Sequence, residues 1–379
     1  MKIVFFCDEY PPRPHGGIGT FVEGVAQGMH QRGHQITVVN LGPAEERVEV
    51  NGIRVLTIAR SGLPYIGNLI SRLSLRRFLS NLARAEKVDI VEVPDYMGMM
   101  PFGVPGTTVV VRLHLSSTAI RHHARKPVSR GIAFYEKRTL ASNPHWIAVS
   151  RTVLDLTEST FSLAHKHAEV IYNSAPSIPA GLPELPQLPN DFILFAGQVS
   201  ERKGVLVVAE AVKELMLERP LLHLVFAGGT SALDSERSVL QDILENLGPE
   251  LRPRVHFLGH VDRGTVLACM KRAKVFVFPS KIEALGLVIL EAMSCGLPVV
   301  CTKNPPGPEI IDDGINGLLA DPESPEEFRK QIAKLLNDPA LGLKLAANAR
   351  QTIQKKFSLE ECLAKTEQFY ETCRNGDKR

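Results

Sequence analysis

The sequence predicts an α/β protein made of two Rossmann-like, doubly wound domains that face a central cleft. Three observations support this fold class. Short apolar runs alternate with helix-length amphipathic segments along almost the whole chain, which is typical of parallel sheets covered by helices. A proline-rich segment interrupts this alternation near the middle. The 379 residues also exceed the roughly 250–300 residues at which one hydrophobic core usually gives way to two.

In the first half, the apolar run Lys2–Cys7 predicts a buried strand, which a glycine-rich turn and a helix from about Thr20 follow. Apolar residues recur in that helix at the three-to-four-residue spacing of a buried helix face. Gly33 fits the position just after its end, where glycine is common. Further strands are predicted at Gln35–Val39, Asp89–Val93, Thr108–Leu113 and Trp146–Val149.

The second half repeats this pattern after a linker. The segment Ser174–Asn190 holds five prolines and almost no periodicity. Strands are then predicted at Asp191–Ala196, Leu222–Ala227, Val255–Leu258, Val275–Phe278 and Pro298–Cys301. We therefore predict domains over 1–174 and 175–357. Ligands of open α/β sheets bind outside the carboxyl ends of the strands, which points to the predicted cleft.

The composition argues against several classes of protein. A hydrophobic content of 44% and a charged content of 22% are ordinary for a globular chain, and a net charge of +3 is too small to indicate nucleic-acid binding. The sequence contains no run of about 18 apolar residues, so no membrane span is predicted. The first residues read as a strand rather than a signal peptide. Six scattered cysteines fit a reducing compartment, so we expect a cytoplasmic protein.

Positive charge is concentrated in the N-terminal half. Residues 1–174 carry 20 Lys/Arg and 14 Asp/Glu, and one stretch holds seven cations with a single acid, Glu136. Its cations are Arg112, Arg121, Arg125, Lys126, Arg130, Lys137 and Arg138, and the same half also contains Arg72, Arg76 and Arg77. This pattern is compatible with peripheral contact with an anionic membrane or substrate, and equally with a solvated helix face.

The segment Phe278–Val300 carries the most specific motif. It reads FPSKIEALGLVILEAMSCGLPVV, in which seven residues separate Glu283 from Glu291. The part Gly286–Ser294 has helical character and follows a predicted strand and loop. The free amides at the start of such a helix bind phosphate, and Gly286 carries no side chain that would block close approach.

These positions predict a nucleotide-binding site. The amides of Gly286, Leu287 and Val288 would hold a phosphate group. Glu291 lies about one turn further along the helix, where its carboxylate can accept hydrogen bonds from the two hydroxyls of a ribose. Glu283, in the loop before the helix, can reach the group beyond the second phosphate. The alternative is a surface helix with two unrelated acids.

Two other turns carry candidate anion-binding residues. The segment Phe195–Gly204, FAGQVSERKG, places Lys203 after the first strand of the second half. The turn Asp8–Gly19 contains the adjacent Gly16 and Gly17, which let backbone amides approach a phosphate or a sugar. Neither turn has the fingerprint G-x-G-x-x-G directly after its strand, which disfavours a nicotinamide-dependent dehydrogenase.

Together these motifs resemble those of the retaining glycosyltransferases of the GT-B fold, specifically glycosyltransferase family 4. The signature of that family, typically EPFGLVxLEAMACGxPVV, is similar to EALGLVILEAMSCGLPVV here, and the resemblance covers essentially the whole chain. It implies that Glu283 contacts the donor sugar and that Glu291 contacts the nucleotide ribose. It also implies that a tail helix at about 358–379 packs back on the N-terminal domain.

The resemblance assigns further donor-binding residues. Lys203 matches the family lysine that binds the donor diphosphate. Gln198 stands where the family has an arginine, and the adjacent Arg202 is the candidate to compensate. Val261 matches the edge of the loop that receives the base. Gly16 and Gly17 match the glycine pair beside the donor phosphates and the acceptor.

His114 matches a family histidine that approaches the donor sugar, so His114, Lys203 and Glu283 are the candidate catalytic residues. The resemblance implies retaining transfer of a sugar, most commonly from a UDP-sugar, to a glycan or lipid-linked acceptor hydroxyl in polysaccharide biosynthesis. Without a clear D-x-D motif, and with Lys203 and helix amides to carry charge, we expect no metal and no cofactor. Two alternatives are an epimerase of the same fold and a non-catalytic sugar-nucleotide-binding subunit, for which Gln198 is the only support.

Overall fold

The computed structural model describes residues 1–13, 16–64, 66–185, 187–230 and 236–377. The chain divides into two compact units: Met1–Ser174 together with Ser358–Arg379 form unit 1, and Ala175–Phe357 form unit 2. Each unit is built on a mostly parallel sheet with helices, which confirms the predicted α/β fold class. Within the described ranges, no helix is both long and apolar enough to cross a bilayer.

Unit 1 contains an eight-stranded sheet. Its strands are β1 (Lys2–Phe6), β2 (Gln35–Gly42), β3 (Glu46–Val50), β4 (Ile53–Ala59), β5 (Ile90–Pro94), β6 (Thr108–Leu113), β7 (His145–Ala148) and β8 (His167–Val170). Its helices are α1 (Gly17–Gln31), α2 (Gly67–Glu86), α3 (Ser117–His123), α4 (Arg130–Ser142) and α5 (Arg151–Phe161). The strand order is β3-β4-β2-β1-β5-β6-β7-β8. The direction of winding therefore reverses between β1 and β5.

The antiparallel hairpin β3–β4 is absent from the sequence prediction, although its signal is present. Asn51 and Gly52 connect the two strands with φ angles of 51° and 78°. A two-residue turn between strands favours positive φ at both positions, and Asn-Gly supplies it. The structure also begins α1 at Gly17 rather than near Thr20, so the helix includes part of the glycine-rich turn.

Unit 2 contains a six-stranded parallel sheet. Its strands are β9 (Phe192–Ala196), β10 (His223–Ala227), β11 (Val255–Phe257), β12 (Val275–Phe278), β13 (Val299–Thr302) and β14 (Leu318–Ala320). Its helices are α6 (Val205–Glu218), α7 (Glu236–Leu247), α8 (Arg263–Arg272), α9 (Leu287–Cys295), α10 (Gly307–Ile310), α11 (Pro325–Asn337) and α12 (Pro339–Lys356). The strand order β11-β10-β9-β12-β13-β14 reverses between β9 and β12. Ligands of such sheets bind at this switch point.

The last helix, α13 (Leu359–Asp377), belongs to unit 1 and is attached to its sheet through a buried ion pair. Arg112 of β6 donates from Nε and Nη2 to the two carboxylate oxygens of Glu92 on β5, at 2.8 and 2.9 Å. From α13, the Tyr370 hydroxyl donates to the same carboxylate at 2.5 Å. A buried charge pair with this many partners fixes the helix on the sheet.

The structure corrects the predicted basic surface at two positions. Arg112 lies on a central strand and is buried. Arg72 is buried on α2, where it donates to the carbonyl oxygens of Met97 and Gly98 at 2.6 and 2.9 Å. The prediction that these two cations belong to an exposed basic face is wrong, because both neutralise or bond groups inside unit 1. The acid of the stretch, Glu136, is also buried.

Candidate functional site

At the carboxyl edge of the unit 2 sheet, glycines follow three neighbouring strands and let the turns approach one another closely. A Cβ at Gly228, after β10, would lie 2.0 Å from the carbonyl oxygen of Gly197, which follows β9. Gly228 also forms an isolated bridge with Gly259, beyond β11. Only glycine permits this approach, and Gly228 has a φ of 150°. The turns therefore lie close together at the edge where ligands bind.

At the switch point, the turn after β9 meets the loop after β12. Gly204 has a φ of 76°, and a Cβ there would lie 2.3 Å from the carbonyl oxygen of Pro279. This contact positions Lys203, the last residue of a short 3₁₀ turn, against the second loop. Lys203 Nζ donates to Glu283 Oε1, and the Ser280 hydroxyl donates to the same oxygen at 2.6 Å. Two predicted site residues, from the segments that follow β9 and β12, are thus in direct contact.

The environment of Lys203 is apolar on one side. Its ammonium lies 5.3 Å from the centroid of the Phe278 ring. Burial lowers the pKa of Lys203, and the adjacent Glu283 carboxylate opposes that shift. An ammonium has three N–H donors, so the bond to Glu283 leaves capacity for an anionic ligand. The pair can therefore bind a phosphate group and a hydroxyl-bearing group side by side.

Helix α9 begins next to this pair. Gly286 precedes it with a φ of 84°, and no side chain caps the helix. The first N–H groups of a helix have no intrahelical acceptor, so the amides of Leu287 and Val288 are available to an anion. The helix dipole adds to this attraction. The structure therefore gives Gly286, Leu287 and Val288 the arrangement that the sequence predicts for a phosphate site.

Glu291, one turn into α9, is held by a residue that the sequence analysis missed. Arg263 Nε donates to Glu291 Oε1 at 2.6 Å, and Arg263 Nη2 donates to the carbonyl oxygen of Ser177 at 2.8 Å. Burial raises the pKa of Glu291, and the Arg263 guanidinium opposes that rise. Arg263 therefore favours the ionised carboxylate, which is the form with the greater capacity to accept hydrogen bonds.

The sequence contains a signal for Arg263. It is the first residue of α8, directly after Asp262, whose side chain accepts the N–H of Thr265 as an N-cap. A cation in the first turn of a helix is unfavourable for the helix dipole, so an arginine there indicates a specific acidic partner. Val261, the candidate base-binding residue, lies two positions before it. The candidate base-binding residue and the arginine that holds Glu291 therefore lie in one short segment.

The remaining candidates of unit 2 lie around this centre. Arg202 Nη1 donates to the carbonyl oxygen of Ile282 at 3.3 Å, which attaches the Lys203 turn to the loop that carries Glu283. Gln198 is exposed beyond the end of β9. Its side chain supplies no charge to the phosphate site, as the sequence indicates.

Three predicted site residues belong to unit 1. Gly16 and Gly17 begin α1, and Gly16 N donates to Glu9 Oε2 at 3.1 Å. His114 follows β6, and its ring packs edge-on against Phe21 of α1, with 5.6 Å between the ring centroids. Burial and then the nearby Arg112 lower the pKa of His114 to about 3. The imidazole is therefore neutral near pH 7.

Comparison with known proteins decides the family. A family model described as glycosyl transferases group 1 matches residues 184–352, and the model of glycosyltransferase family 4 matches residues 15–175. The chain belongs to glycosyltransferase family 4. An uncharacterised glycosyltransferase of Methanocaldococcus jannaschii is 27% identical to this glycosyltransferase over 389 aligned positions, which cover 98% of each chain.

Solved structures show the same two-domain fold. Sucrose-phosphate synthase from Thermosynechococcus elongatus matches with a TM-score of 0.79 at 18% identity, over 98% of each chain. HepE from Anabaena, solved with UDP and glucose, matches with a TM-score of 0.71 at 17% identity, over 98% of this chain and 100% of HepE. These matches confirm the predicted GT-B fold of this glycosyltransferase.

No group of three or more His, Cys, Asp or Glu residues in the described ranges of the glycosyltransferase could hold an ion. All six cysteines lie within the described residues, and none of them forms a disulfide. Metal independence stays a prediction that activity measurements must test.

Proposed function

We propose that this glycosyltransferase moves a sugar from a nucleoside diphosphate sugar, with a UDP-sugar as the donor, to a hydroxyl of a glycan or lipid-linked acceptor during polysaccharide biosynthesis. The observation that carries the proposal is the contact between Lys203 and Glu283 at the switch point, beside the open start of α9. UDP is proposed as the leaving nucleotide because the structural neighbour HepE was solved with UDP and glucose.

Each part of the donor has a partner in this proposal. The diphosphate binds Lys203 and the amides of Leu287 and Val288, where a cation and a helix dipole act together. Glu291 accepts the ribose hydroxyls, and Glu283 accepts a hydroxyl of the sugar. These groups select a nucleoside diphosphate carrying a polyhydroxylated substituent.

We further propose that the anomeric configuration is retained without a protein nucleophile. The bond from C1 of the sugar to the phosphate oxygen breaks, and the bond from C1 to the acceptor oxygen forms on the same face. The acceptor proton passes to the leaving diphosphate. Lys203 and the α9 amides stabilise the charge that develops on that diphosphate. His114, neutral near pH 7, acts as an uncharged hydrogen-bonding group toward the sugar.

Calorimetric titration tests the donor site. UDP, GDP and ADP are titrated into the metal-free full chain and into Glu291→Ala. We expect submillimolar binding of UDP and a loss of about tenfold or more in the variant, since hydrogen bonds to a charged group contribute about 1.5–3 kcal/mol. Glu323→Ala, which removes an exposed carboxylate of the same unit, is the matched control. Equal UDP affinity in all three proteins would refute the site.

Turnover tests the reaction. UDP-sugars are incubated with candidate glycan and lipid-linked acceptors in the presence of EDTA, and the anomer of the product is read by NMR. Retained configuration with activity unchanged by EDTA supports the proposal. An inverted product, or activity that requires a divalent cation, would contradict the stereochemical part or the metal-independent part. Tight UDP binding without transfer to any acceptor would instead support the non-catalytic subunit.

A further inference from the structure

Exposed apolar side chains are concentrated in one part of unit 1. Among the described residues, seven of the eleven exposed large apolar side chains lie between positions 63 and 134. They are Leu63, Ile66, Leu69, Leu73, Tyr96, Phe102 and Phe134. The other four, Leu217, Leu221, Ile315 and Leu343, lie in unit 2. Exposed apolar residues that cluster mark an interaction surface, whereas scattered ones need no explanation.

Contacts made by two arginines bring together the segments that carry six of these residues. The Arg72 guanidinium lies 4.1 Å from the centroid of the Tyr135 ring of α4 and donates to Met97 and Gly98 of the loop after β5. Arg76 Nε donates to the carbonyl oxygen of Gly103, further along that loop, at 3.2 Å. Helix α2, the loop and α4 therefore meet around Arg72.

Four exposed apolar residues are direct sequence neighbours of these contacts. Leu73 follows Arg72, Tyr96 precedes Met97, Phe102 precedes Gly103, and Phe134 precedes Tyr135. Leu69 lies one turn before Leu73 on α2, and Ile66 immediately precedes the helix about one turn earlier. We name this set, Ile66, Leu69, Leu73, Tyr96, Phe102 and Phe134, the apolar patch.

The exposed charge in the segment that carries the apolar patch is almost entirely positive. Positions 63–138 contain twelve Lys/Arg and five Asp/Glu. Three of the five acids, Glu92, Asp95 and Glu136, are buried. The other two are paired, Glu86 with Arg54 and Asp89 with Arg374. Exposed cations lie on the same two helices as the apolar residues, and they include Arg77, Arg84, Arg130, Lys137 and Arg138.

We propose that the apolar patch and the surrounding cations of α2 and α4 form a docking surface for an anionic lipid bilayer. Apolar side chains enter the headgroup region while lysines and arginines contact the lipid phosphates. Interfacial helices bind membranes through these two kinds of contact. A soluble anionic polymer would use the cations alone and would leave the apolar side chains in water. The exposed apolar residues therefore favour the bilayer.

Depth-sensitive fluorescence gives a direct test, because the single tryptophan of the chain, Trp146, is fully buried in unit 1. The full-length variant Phe134→Trp is mixed with vesicles of phosphatidylcholine and phosphatidylglycerol that carry brominated acyl chains. We expect quenching of the introduced indole. Leu343→Trp, at an even more exposed apolar position of unit 2, should show no quenching beyond that of the unmodified chain. Absence of quenching at position 134 would overturn the proposal.

Vesicle sedimentation separates the contributions of apolar and basic residues. The unmodified chain should partition onto vesicles with phosphatidylglycerol and not onto pure phosphatidylcholine. Leu69→Asp with Leu73→Asp should weaken partitioning by about tenfold or more. The matched pair Leu221→Asp with Leu343→Asp removes two exposed leucines of unit 2 and should leave partitioning unchanged. An equal loss in both double variants would refute the patch.

The alternative partner and the fold are controlled in the same experiment. If dextran sulfate binds the chain as tightly as the anionic vesicles do, and the Leu69/Leu73 variant retains both interactions, the surface binds an anionic polymer and the bilayer proposal fails. Far-UV circular dichroism and thermal unfolding of each variant verify folding without reference to UDP. Vesicle binding needs no donor or acceptor, so failure here would leave the proposed transferase function standing, and the reverse also holds.

Discussion

Each unit contains an ion pair between a basic side chain and a glutamate, and the two pairs differ in their surroundings. In unit 1, the Arg112 and Glu92 side chains are 1% and 4% exposed and receive further bonds from α13. In unit 2, the Lys203 and Glu283 side chains are 14% and 12% exposed. They lie at the switch point, where the strand order reverses between β9 and β12. The first pair joins a helix to a sheet, whereas the second lies beside the start of α9, which no side chain caps.

This difference teaches how a charge pair can be assigned a role. A sealed pair is closed to solvent, so no ligand reaches it and its interactions stabilise the fold. A partly exposed pair beside unpaired helix amides has unused donors and acceptors, which can form hydrogen bonds to a ligand. The same contrast separates Arg112 from Arg263, which retains 34% exposure beside Glu291.

The largest expected effect comes from breaking the sealed pair. Arg112→Met leaves the Glu92 carboxylate buried without its cation, so we expect unit 1 to lose about 3–5 kcal/mol of unfolding free energy. Urea unfolding followed by Trp146 emission measures this, since that tryptophan lies in unit 1. The control is Arg54→Met, which removes the half-exposed partner of Glu86 in unit 1 and should change stability by less than about 1 kcal/mol. A loss below that level for Arg112→Met would remove the distinction between the two regions.

The open pair should respond in binding rather than in stability. Lys203→Met removes the cation proposed for the diphosphate, so we expect UDP affinity to fall by about 1.5–3 kcal/mol, roughly ten- to a hundredfold. Calorimetry at constant ionic strength measures the loss. Lys281→Met, two residues before Glu283 and paired with the exposed Glu323, should leave affinity unchanged. If Lys203→Met instead unfolds unit 2 and the folded fraction binds UDP normally, then Lys203 is structural, like Arg112.

The same contrast explains how far the sequence predicts the molecule. The alternation of strands and helices is local, so the sequence predicts the fold class and the position of Glu283 and Glu291 on a loop and a helix. The partners of charged residues are not local. Arg112 donates to Thr366, which lies 254 positions later in the chain, and the sequence pattern therefore assigned Arg112 wrongly to a basic surface. Arg263 meets Glu291 on the next helix, 28 positions later, and only its unfavourable place at a helix start indicates this partner.

The third prediction concerns the acid sensitivity of the ribose carboxylate. Arg263 opposes the rise that burial causes in the pKa of Glu291, so Arg263→Ala should raise that pKa further. A protonated Glu291 is a poorer acceptor. UDP affinity should therefore be about three- to tenfold lower near pH 7 and should fall at a higher pH than in the unmodified chain.

Calorimetry between about pH 5.5 and 8 measures this difference, within the range where such a carboxyl can titrate. The phosphate groups of UDP titrate identically in both experiments, so the difference between the two curves reports the protein. Glu291→Gln cannot titrate at this position, and adding Arg263→Ala to it should cause no further pH dependence. A parallel shift of the two curves, without a change in pH dependence, would show that Arg263 binds the nucleotide directly rather than through Glu291.

The smallest expected effect tests whether the open site is short of positive charge. Gln198 is exposed after β9, where the family motif has an arginine, and Lys203 is already paired with Glu283. Gln198→Arg should raise UDP affinity by about 0.5–1 kcal/mol, roughly two- to fivefold, because an exposed cation adds only a screened attraction. The gain should shrink as salt is added. Gln198→Met, which keeps the length without charge, should bind UDP as the unmodified chain does. If Gln198→Arg does not raise UDP affinity even in the Lys203→Met background, the diphosphate lies away from this turn. The Lys203–Glu283 pair would then have no ligand-binding role to distinguish it from the Arg112–Glu92 pair.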